Sequence, residues 1–549
     1  MADLSVLVGG RAGDGINSAG LLVSHLFNRM GYSTYMYFDY PSLIKGGHNF
    51  TITRAADHPV GGLRERCDII LALNQDSIDL HRDLMDDTTV VIYDSNRAAA
   101  EGQGVPVQDI LKEEQAPGVM GNSCIIGAFC GAAGIPFGVL EEVLRRQIPK
   151  GLEKNLVIAR RGFDAVKPGP TLEPGKNEPL PLLSGNEAIG IGLLQGGLEA
   201  FVAYPMTPTS NLLHFLAGVA EEYPLTVVHP ENEIAVILMA QGLAYAGKKA
   251  AVGTSGGGFC LMTESFSMAG MNEVPVVVVM GQRTGPSTGL PTYTGQTDLH
   301  FMLHAGQGEF PRLVVAPGDN AQACTWSSLA LSLAWKCQVP AIILVDKTLC
   351  EGITPLGEEA HSVPVSGASP PVSEEGPYHR YAITDTGISP MRSPPVPGSV
   401  VKVNSYVHDE AGISTERADM TRLMTEKRLR KAATLRQETD ALNPVMVHGT
   451  RDAATALLCW GSTLPVCREV AGDRSFRVVQ TVVLSPFPAE ALRDALSGVK
   501  KLVAVEENAT GQLQMLCARY GIITDAAIRK YDGRPFTVDE LARRLAEVT

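Results

Sequence analysis

Three side chains in the middle of this chain have types and surroundings suited to handling a small acidic molecule: Thr207, Glu233 and Arg283. Thr207 lies in Tyr204-Pro205-Met206-Thr207-Pro208-Thr209-Ser210, between two prolines that fix the backbone and aim its hydroxyl outward. Glu233 opens an apolar, helix-like run after His229-Pro230-Glu231-Asn232. A carboxylate there can exchange a proton with a bound base, or merely complement a helix N-terminus. Arg283 follows the apolar run Val276–Met280. A guanidinium so placed can grip a carboxylate through two parallel hydrogen bonds, or pair with a structural acid at a domain contact. Between them, Gly253-Thr254-Ser255-Gly256-Gly257-Gly258 lets backbone approach a ligand closely. Ser287 and Thr288, in Pro286-Ser287-Thr288-Gly289, offer hydroxyls to a distal polar group.

These residues need a scaffold that brings separate loops together. From Gly185 to Leu299, four apolar segments each end in a polar, Gly- or Pro-rich loop. That layout places loops at the carboxyl ends of parallel strands. A central α/β domain is expected over residues 185–352, closing on the strand Ala341–Val345. Before it, residues 1–166 read as another α/β domain. A buried strand at residues 4–9 feeds Gly9-Gly10-Arg11-Ala12-Gly13-Asp14-Gly15, and a helix follows with Ile16, Ala19, Leu22, Val23 and Leu26 on one face. Strands at 67–74 and 88–95 and helices at 122–134 and 137–147 complete it. The glycine loop is either an anion site at a helix start or a tight turn, and its spacing is not the dinucleotide pattern. Gly13-Asp14-Gly15 also lacks the paired downstream asparagines of a metal–diphosphate motif, since Asn49 stands alone in Gly46-Gly47-His48-Asn49.

Residues 167–184 form a linker with five prolines, and 353–445 an irregular, proline-rich arm ending in a basic helix around Glu426-Lys427-Arg428-Leu429-Arg430-Lys431. The arm, with Tyr378, Tyr381, Arg392 and His408-Asp409-Glu410, reads as one that wraps a partner, and the basic helix as a solvated face. Residues 446–549 form a third α/β unit with strands at Thr455–Trp460, Phe476–Thr481 and Lys501–Val505.

Composition narrows the function classes. With 549 residues, three to four domains are expected; 45% hydrophobic and 19% charged residues are ordinary for a globular protein. A dispersed net charge of −13 argues against nucleic acid. No export signal opens the chain, and the longest apolar run, Ile234–Ala240, is too short for a membrane span, so a cytoplasmic protein without a membrane partner is expected. Ten cysteines occur with no Cys-x-x-Cys pair, which predicts buried, reduced thiols and no metal site in this chain.

Taken together, the motifs resemble the alpha subunit of 2-oxoacid:ferredoxin oxidoreductases, in the form with a gamma domain fused at the N-terminus. The resemblance rests on Tyr204-Pro205-Met206-Thr207-Pro208, Glu231-Asn232-Glu233-Ile234-Ala235, Thr254-Ser255-Gly256, and Pro286-Ser287-Thr288-Gly289-Leu290-Pro291-Thr292 with Gln296 and Asp298. Gly9–Gly15 and Gly46-Gly47 resemble the gamma domain's loops, and Glu506-Glu507-Asn508-x-x-Gly511-Gln512 the C-terminal domain shared with transketolase. The resemblance implies three α/β domains: a gamma-type one, a thiamine-diphosphate pyrimidine-binding one in the centre, and a transketolase C-terminal-like one. It implies a thiamine diphosphate site shared with a beta subunit, which would hold the diphosphate, Mg2+ and a [4Fe-4S] cluster, none of them in this chain. Coenzyme A is the implied co-substrate, ferredoxin the electron acceptor, and an (alpha-beta)2 heterotetramer the assembly.

By the same resemblance, Glu233 contacts the aminopyrimidine ring, with Pro205, Thr254, Ser255 and Gly256 around the cofactor. Thr207 and Arg283 take the substrate's carboxylate or carbonyl, and Ser287 and Thr288 its distal group. The Pro286–Pro291 run and His408-Asp409-Glu410 resemble the 2-oxoglutarate branch, with pyruvate or branched-chain and aryl 2-oxo acids as alternatives. Two other classes stay open: a non-catalytic adaptor that binds coenzyme A or a nucleotide, and a self-sufficient dinucleotide oxidoreductase using Gly9–Gly15.

Overall fold

The computed structural model describes residues 3–41, 47–168, 172–357, 377–395, 400–472 and 474–549. The described residues form three sheets of eight, seven and five strands. They gather into two compact units, one comprising Met1–Leu183 with Gly352–Gly357 and Phe536–Glu547, the other the rest. Three sheets whose strands alternate with helices along the chain bear out the expected α/β class.

In the first unit the strand Asp3–Arg11 lies in mid-sheet because Val6, Leu7 and Val8 are apolar in succession and all fully buried. It runs parallel to Ile69–Ala72 and antiparallel to His48–Ala56, with Val6 opposite Ile69 on one side and Thr53 on the other. The helix Ile16–Arg29 follows Gly15, whose φ of 74° lies in the left-handed region, and buries the predicted Ile16, Ala19, Leu22, Val23 and Leu26. The predicted strands and helices appear as Ile69–Ala72, Val90–Asp94, Gly121–Ala132 and Phe137–Gln147. The Gly9–Gly15 loop is tied to the second glycine motif, since Ala12 N donates to Gly47 O at 3.1 Å. Gly46 lies outside the described residues. The antiparallel strands Ser33–Asp39 and His48–Ala56 were not foreseen. Neither was the helix Val538–Val548, where Val538 N donates to Leu63 O and Asp539 Oδ2 accepts from Arg64 Nε and Glu65 N.

In the second unit the seven-stranded sheet runs Val483–Ser485, Leu313–Val315, Ala341–Asp346, Val277–Gln282, Ala250–Ser255, Ala200–Ala203, Thr226–Val228. All neighbours are parallel except the first pair. Its strands are continuous apolar runs because both faces are covered. Val252, Val278 and Met280 enter one core with Phe259 and Phe266, while Ala251, Val277 and Val279 enter the other with Leu193 and Leu212. The helix Gly185–Gln195 starts at a capping box in which Glu187 N donates to Ser184 Oγ at 3.2 Å and Ser184 N donates to Glu187 Oε2 at 2.7 Å. The five-stranded sheet holds the expected strands as Thr455–Cys459, Phe476–Thr481 and Lys501–Glu506, with Val445–Gly449 and Ala526–Arg529 at its edges. Glu506 is a structural cap: its carboxylate accepts from Leu513 N at 2.7 Å and Gln514 N at 3.1 Å, at the start of the helix Gln512–Arg519.

The expected basic helix is longer, Ala418–Asp440, and its reading as a solvated face is corrected. Lys427, Arg428 and Lys431 are buried. Lys427 Nζ donates to both Glu273 oxygens at 2.8 Å, and Lys431 Nζ also pairs with Glu273. Glu273 ends the helix Gly256–Asn272 with a left-handed φ of 52°. The described part of the arm joins the same cluster within its own chain. Arg380 donates to Gln338 Oε1 at 2.9 Å and to Glu273 O at 2.6 Å, and Tyr381 Oη donates to Asn272 O at 3.3 Å. Among the described residues, no helix is long and apolar enough to cross a membrane.

Candidate functional site

Four parallel strands of the second unit deliver the candidate residues to one edge of the sheet. Ala200–Ala203 leads into Tyr204–Ser210, Thr226–Val228 into Asn232 and Glu233, Ala250–Ser255 into the glycine run, and Val277–Gln282 into Arg283. This is the crevice outside strand carboxyl ends where α/β sheets bind ligands.

Glu233 is the first residue of the helix Glu233–Tyr245, whose cap is Asn232: Ala235 N donates to Asn232 Oδ1 at 3.0 Å. The amide therefore satisfies the helix end, and the Glu233 carboxylate is free for another task. Glu233 is 4% exposed, and its Oε1 has no hydrogen-bond partner. Glu231 is exposed, which separates the two carboxylates of the motif. A buried polar atom left unpaired costs about 1–3 kcal/mol, so an orphaned oxygen marks a place where a ligand completes the structure.

Gly258, in the first turn of the next helix, makes room for that carboxylate. A Cβ there would stand 2.2 Å from Thr254 Oγ1 and 2.7 Å from Glu233 Oε1. The fully buried Ser255 adds a second orphan, its Oγ. A carboxylate and a threonine hydroxyl thus meet on a glycine surface at a helix start, next in sequence to the buried Ser255, while a Cβ on Gly257 would meet nothing within 4 Å. That donor and acceptor set fits a heteroaromatic ring with nitrogen atoms to bond, as in the aminopyrimidine of thiamine diphosphate.

Arg283 and Thr207 meet directly: Arg283 Nη1 donates to Thr207 O at 3.3 Å. Thr207 is half-buried, and the loop beneath it is anchored by Asn186 Nδ2 to Pro208 O at 3.0 Å and Thr209 Oγ1 to Met206 O at 3.1 Å. Pro205 is half-buried in the same loop. Burial holds the Arg283 guanidinium below its usual range, with Asp298 pulling the other way. Ser287 and Thr288 sit on an exposed loop, Ser287 with a left-handed φ of 54°, closed by the Thr284–Leu290 bridge. Among the described residues, no hydrogen bond joins them to Glu233 or Thr207.

Two features escaped the sequence reading. Asp298 appeared only as a signature residue, yet it is the acid beside Arg283, its carboxyl pushed up to about 6 mainly by burial. The helix Glu233–Tyr245 begins at Glu233, as the sequence places it, but its buried face holds Glu233, Val236, Ile237, Ala240, Gln241 and Ala244, while the apolar Ile234, Leu238 and Met239 are exposed.

Comparison with known proteins accords with this geometry. Residues 191–427 match the family model described as "Pyruvate flavodoxin/ferredoxin oxidoreductase, thiamine diP-bdg", and residues 5–165 match "Pyruvate ferredoxin/flavodoxin oxidoreductase". The alpha subunit of a 2-oxoacid:ferredoxin oxidoreductase from Saccharolobus solfataricus is 30% identical, covering 99% of this chain and 98% of that protein. The chain belongs to the 2-oxoacid:ferredoxin oxidoreductase family. Among relatives of this oxidoreductase subunit, the KorA subunit of an Archaeoglobus fulgidus 2-oxoglutarate synthase is 30% identical over 60% of the chain and 89% of its own length. A solved 2-oxoglutarate:ferredoxin oxidoreductase from Magnetococcus marinus, with 2-oxoglutarate, coenzyme A and succinyl-CoA bound, superposes with a TM-score of 0.89 at 29% identity, covering 100% of this chain and 99% of that one. All four loops of the site lie inside the segment that matches the thiamine-diphosphate-binding model of the oxidoreductase family.

Proposed function

We propose that this chain is the half of a 2-oxoglutarate:ferredoxin oxidoreductase that holds the aminopyrimidine end of thiamine diphosphate and the reacting end of the substrate. The observation that carries the reading is the buried, unpartnered Glu233 Oε1 against Gly258. When bound, thiamine diphosphate supplies the carbon nucleophile and electron sink for decarboxylation. The chain's own residues bind and orient. Glu233 holds or releases a proton at Oε1 toward a ring nitrogen, and Thr254, Ser255 and Gly256 line the ring's place. Arg283 takes the carboxylate of a 2-oxo acid, with the Thr207 hydroxyl beside it. Overall, a 2-oxo acid and coenzyme A yield an acyl-CoA, carbon dioxide and one proton, while two ferredoxins each accept one electron.

The choice of 2-oxoglutarate, with succinyl-CoA as product, is supported by what the Archaeoglobus and Magnetococcus proteins are named for. A partner chain is supported by the exposed apolar residues flanking the site: Tyr204, Ile234, Leu238, Met239 and Leu261. We assign that place to a beta subunit carrying the diphosphate site, Mg2+ and a [4Fe-4S] cluster, in an (alpha-beta)2 assembly. Within the chain, 1–166 takes the gamma role, 185–352 the pyrimidine role and 446–549 the C-terminal role, except that 536–547 belongs to the first unit. Ser287 and Thr288 are the candidates for the substrate's far end.

The test is purification with the neighbouring-subunit gene product and dye reduction with a panel of 2-oxo acids. An iron-containing complex reducing dye fastest with 2-oxoglutarate, and losing at least about a hundredfold in rate on Glu233→Ala, is the expected result. Undiminished turnover by Glu233→Ala would sink the cofactor assignment, and preference for pyruvate the substrate.

A further inference from the structure

Asp298 stands at the N-cap of the helix Leu299–His304, yet its side chain makes no cap hydrogen bond. Its backbone N–H goes instead to Gln282 Oε1 at 3.0 Å, which holds the residue against the end of the Arg283 strand. The carboxyl turns toward the glycine run: a Cβ on Gly256 would lie 3.3 and 3.5 Å from its two oxygens. Burial and the charge of Arg283 are the influences on it. No described group donates a hydrogen bond to it. An acid that could cap its own helix, but faces the candidate substrate arginine without pairing to it, is placed to act on that arginine.

We propose that Asp298 is a positioning residue for the substrate: as a neutral acid it leaves the Arg283 guanidinium to the incoming carboxylate, and as an anion it competes for that charge. This rests on the reading of Arg283 as the substrate's carboxylate clamp. Burial pushes the Asp298 carboxyl up to about 6, so its two states exchange close to neutrality. Of the other ionisable groups on the surrounding elements, Glu233 lies against Gly258 in the same glycine run with an unpartnered oxygen, and the His300 imidazole bonds Gln512 O at 3.0 Å. The sign follows from linkage. A second carboxylate bound beside Asp298 favours its protonated form, so substrate binding takes up a proton above pH 6 and affinity falls as pH rises.

The experiment compares the alpha–beta complex with its Asp298→Asn and Asp298→Glu forms from pH 5.5 to 8.5. In the unaltered complex KM for 2-oxoglutarate rises above pH 6, by up to about tenfold per unit in the limit of full coupling. Asp298→Asn flattens that rise, with kcat within about threefold, and Asp298→Glu restores it. Calorimetry with oxalate, in buffers of different ionisation enthalpy, reads proton uptake near pH 7 that Asp298→Asn abolishes. If Asp298→Asn keeps the same KM profile, or raises KM equally at every pH, the assignment to Asp298 falls while the proposed function stands. If the unaltered complex turns over no 2-oxo acid, the proposed function falls and takes this assignment with it.

Discussion

Two buried glutamates of the second unit, Glu233 and Glu273, occupy opposite kinds of surroundings. Glu233 opens a helix, is 4% exposed, and keeps an oxygen without a partner. Glu273 closes a helix, is 1% exposed, and both its oxygens accept from Lys427 Nζ, with Lys431 and Arg380 alongside. Burial pushes the Glu273 carboxyl up, but Lys431, Lys427 and Arg380 outweigh it and hold it far below the usual carboxylate range. One carboxylate is fully spent on structure. The other is held in place by a neighbouring cap while its own chemistry stays open. Burial alone does not separate a functional acid from a structural one; the count of satisfied oxygens does.

The contrast breaks at its two poles. Glu233→Gln should cost about 10²–10⁴ in the rate of 2-oxo-acid-dependent dye reduction, while chemical denaturation shows a stability change of less than about 1 kcal/mol. A loss of stability as large as the loss of activity would make Glu233 another Glu273. Glu273→Gln should do the reverse, destabilising by about 3–5 kcal/mol because three cations remain buried without their anion. Its readout is a lowered thermal midpoint; an unchanged midpoint would show that water or rearrangement relieves the cluster.

Arg283→Lys sharpens the functional pole. Trading a planar fork for a point charge should raise KM by about tenfold to a hundredfold with less change in kcat, the signature of a lost ground-state contact. Acid titration gives the smallest effect. The folded-state pKa of Glu273 is depressed, so the unfolded state binds more protons in acid. Its stabilisation is present above the ordinary value near 4.5 and is lost as pH falls through the depressed one. Urea unfolding between pH 6 and 3 should therefore lose less stability in Glu273→Gln than in the unaltered protein.

The two regions also differ in how far the sequence revealed them. The candidate site was legible because its parts are local: each apolar strand is followed within a few residues by its polar loop, and sheet topology collects the loops. Glu233, Thr207, Thr254 and Arg283 could be named without coordinates. Glu233 is also the carboxylate that the sequence reading favours over Glu231, and its packing against Gly258 adds the physical reason. The Glu273 cluster was hidden for the opposite reason. Its partners are 154 residues apart, and a run such as Lys427-Arg428-Leu429-Arg430-Lys431 carries the composition of a solvated face. Asp298 was visible as a letter in a signature, but its role depends on a cap it declines to make.

The last helix of the chain has a consequence for how the protein is made. Val538–Val548 belongs to the first unit, where Asp539 engages Arg64 at a sequence distance of 475 residues. During synthesis at about 5–20 residues per second, the Leu63–Glu65 segment waits on the order of half a minute to a minute and a half for that helix to leave the ribosome. The first unit can gather its sheet during this interval but cannot be completed. A product terminated before residue 536 therefore carries a first unit without this helix, its Leu63–Glu65 segment open to proteolysis.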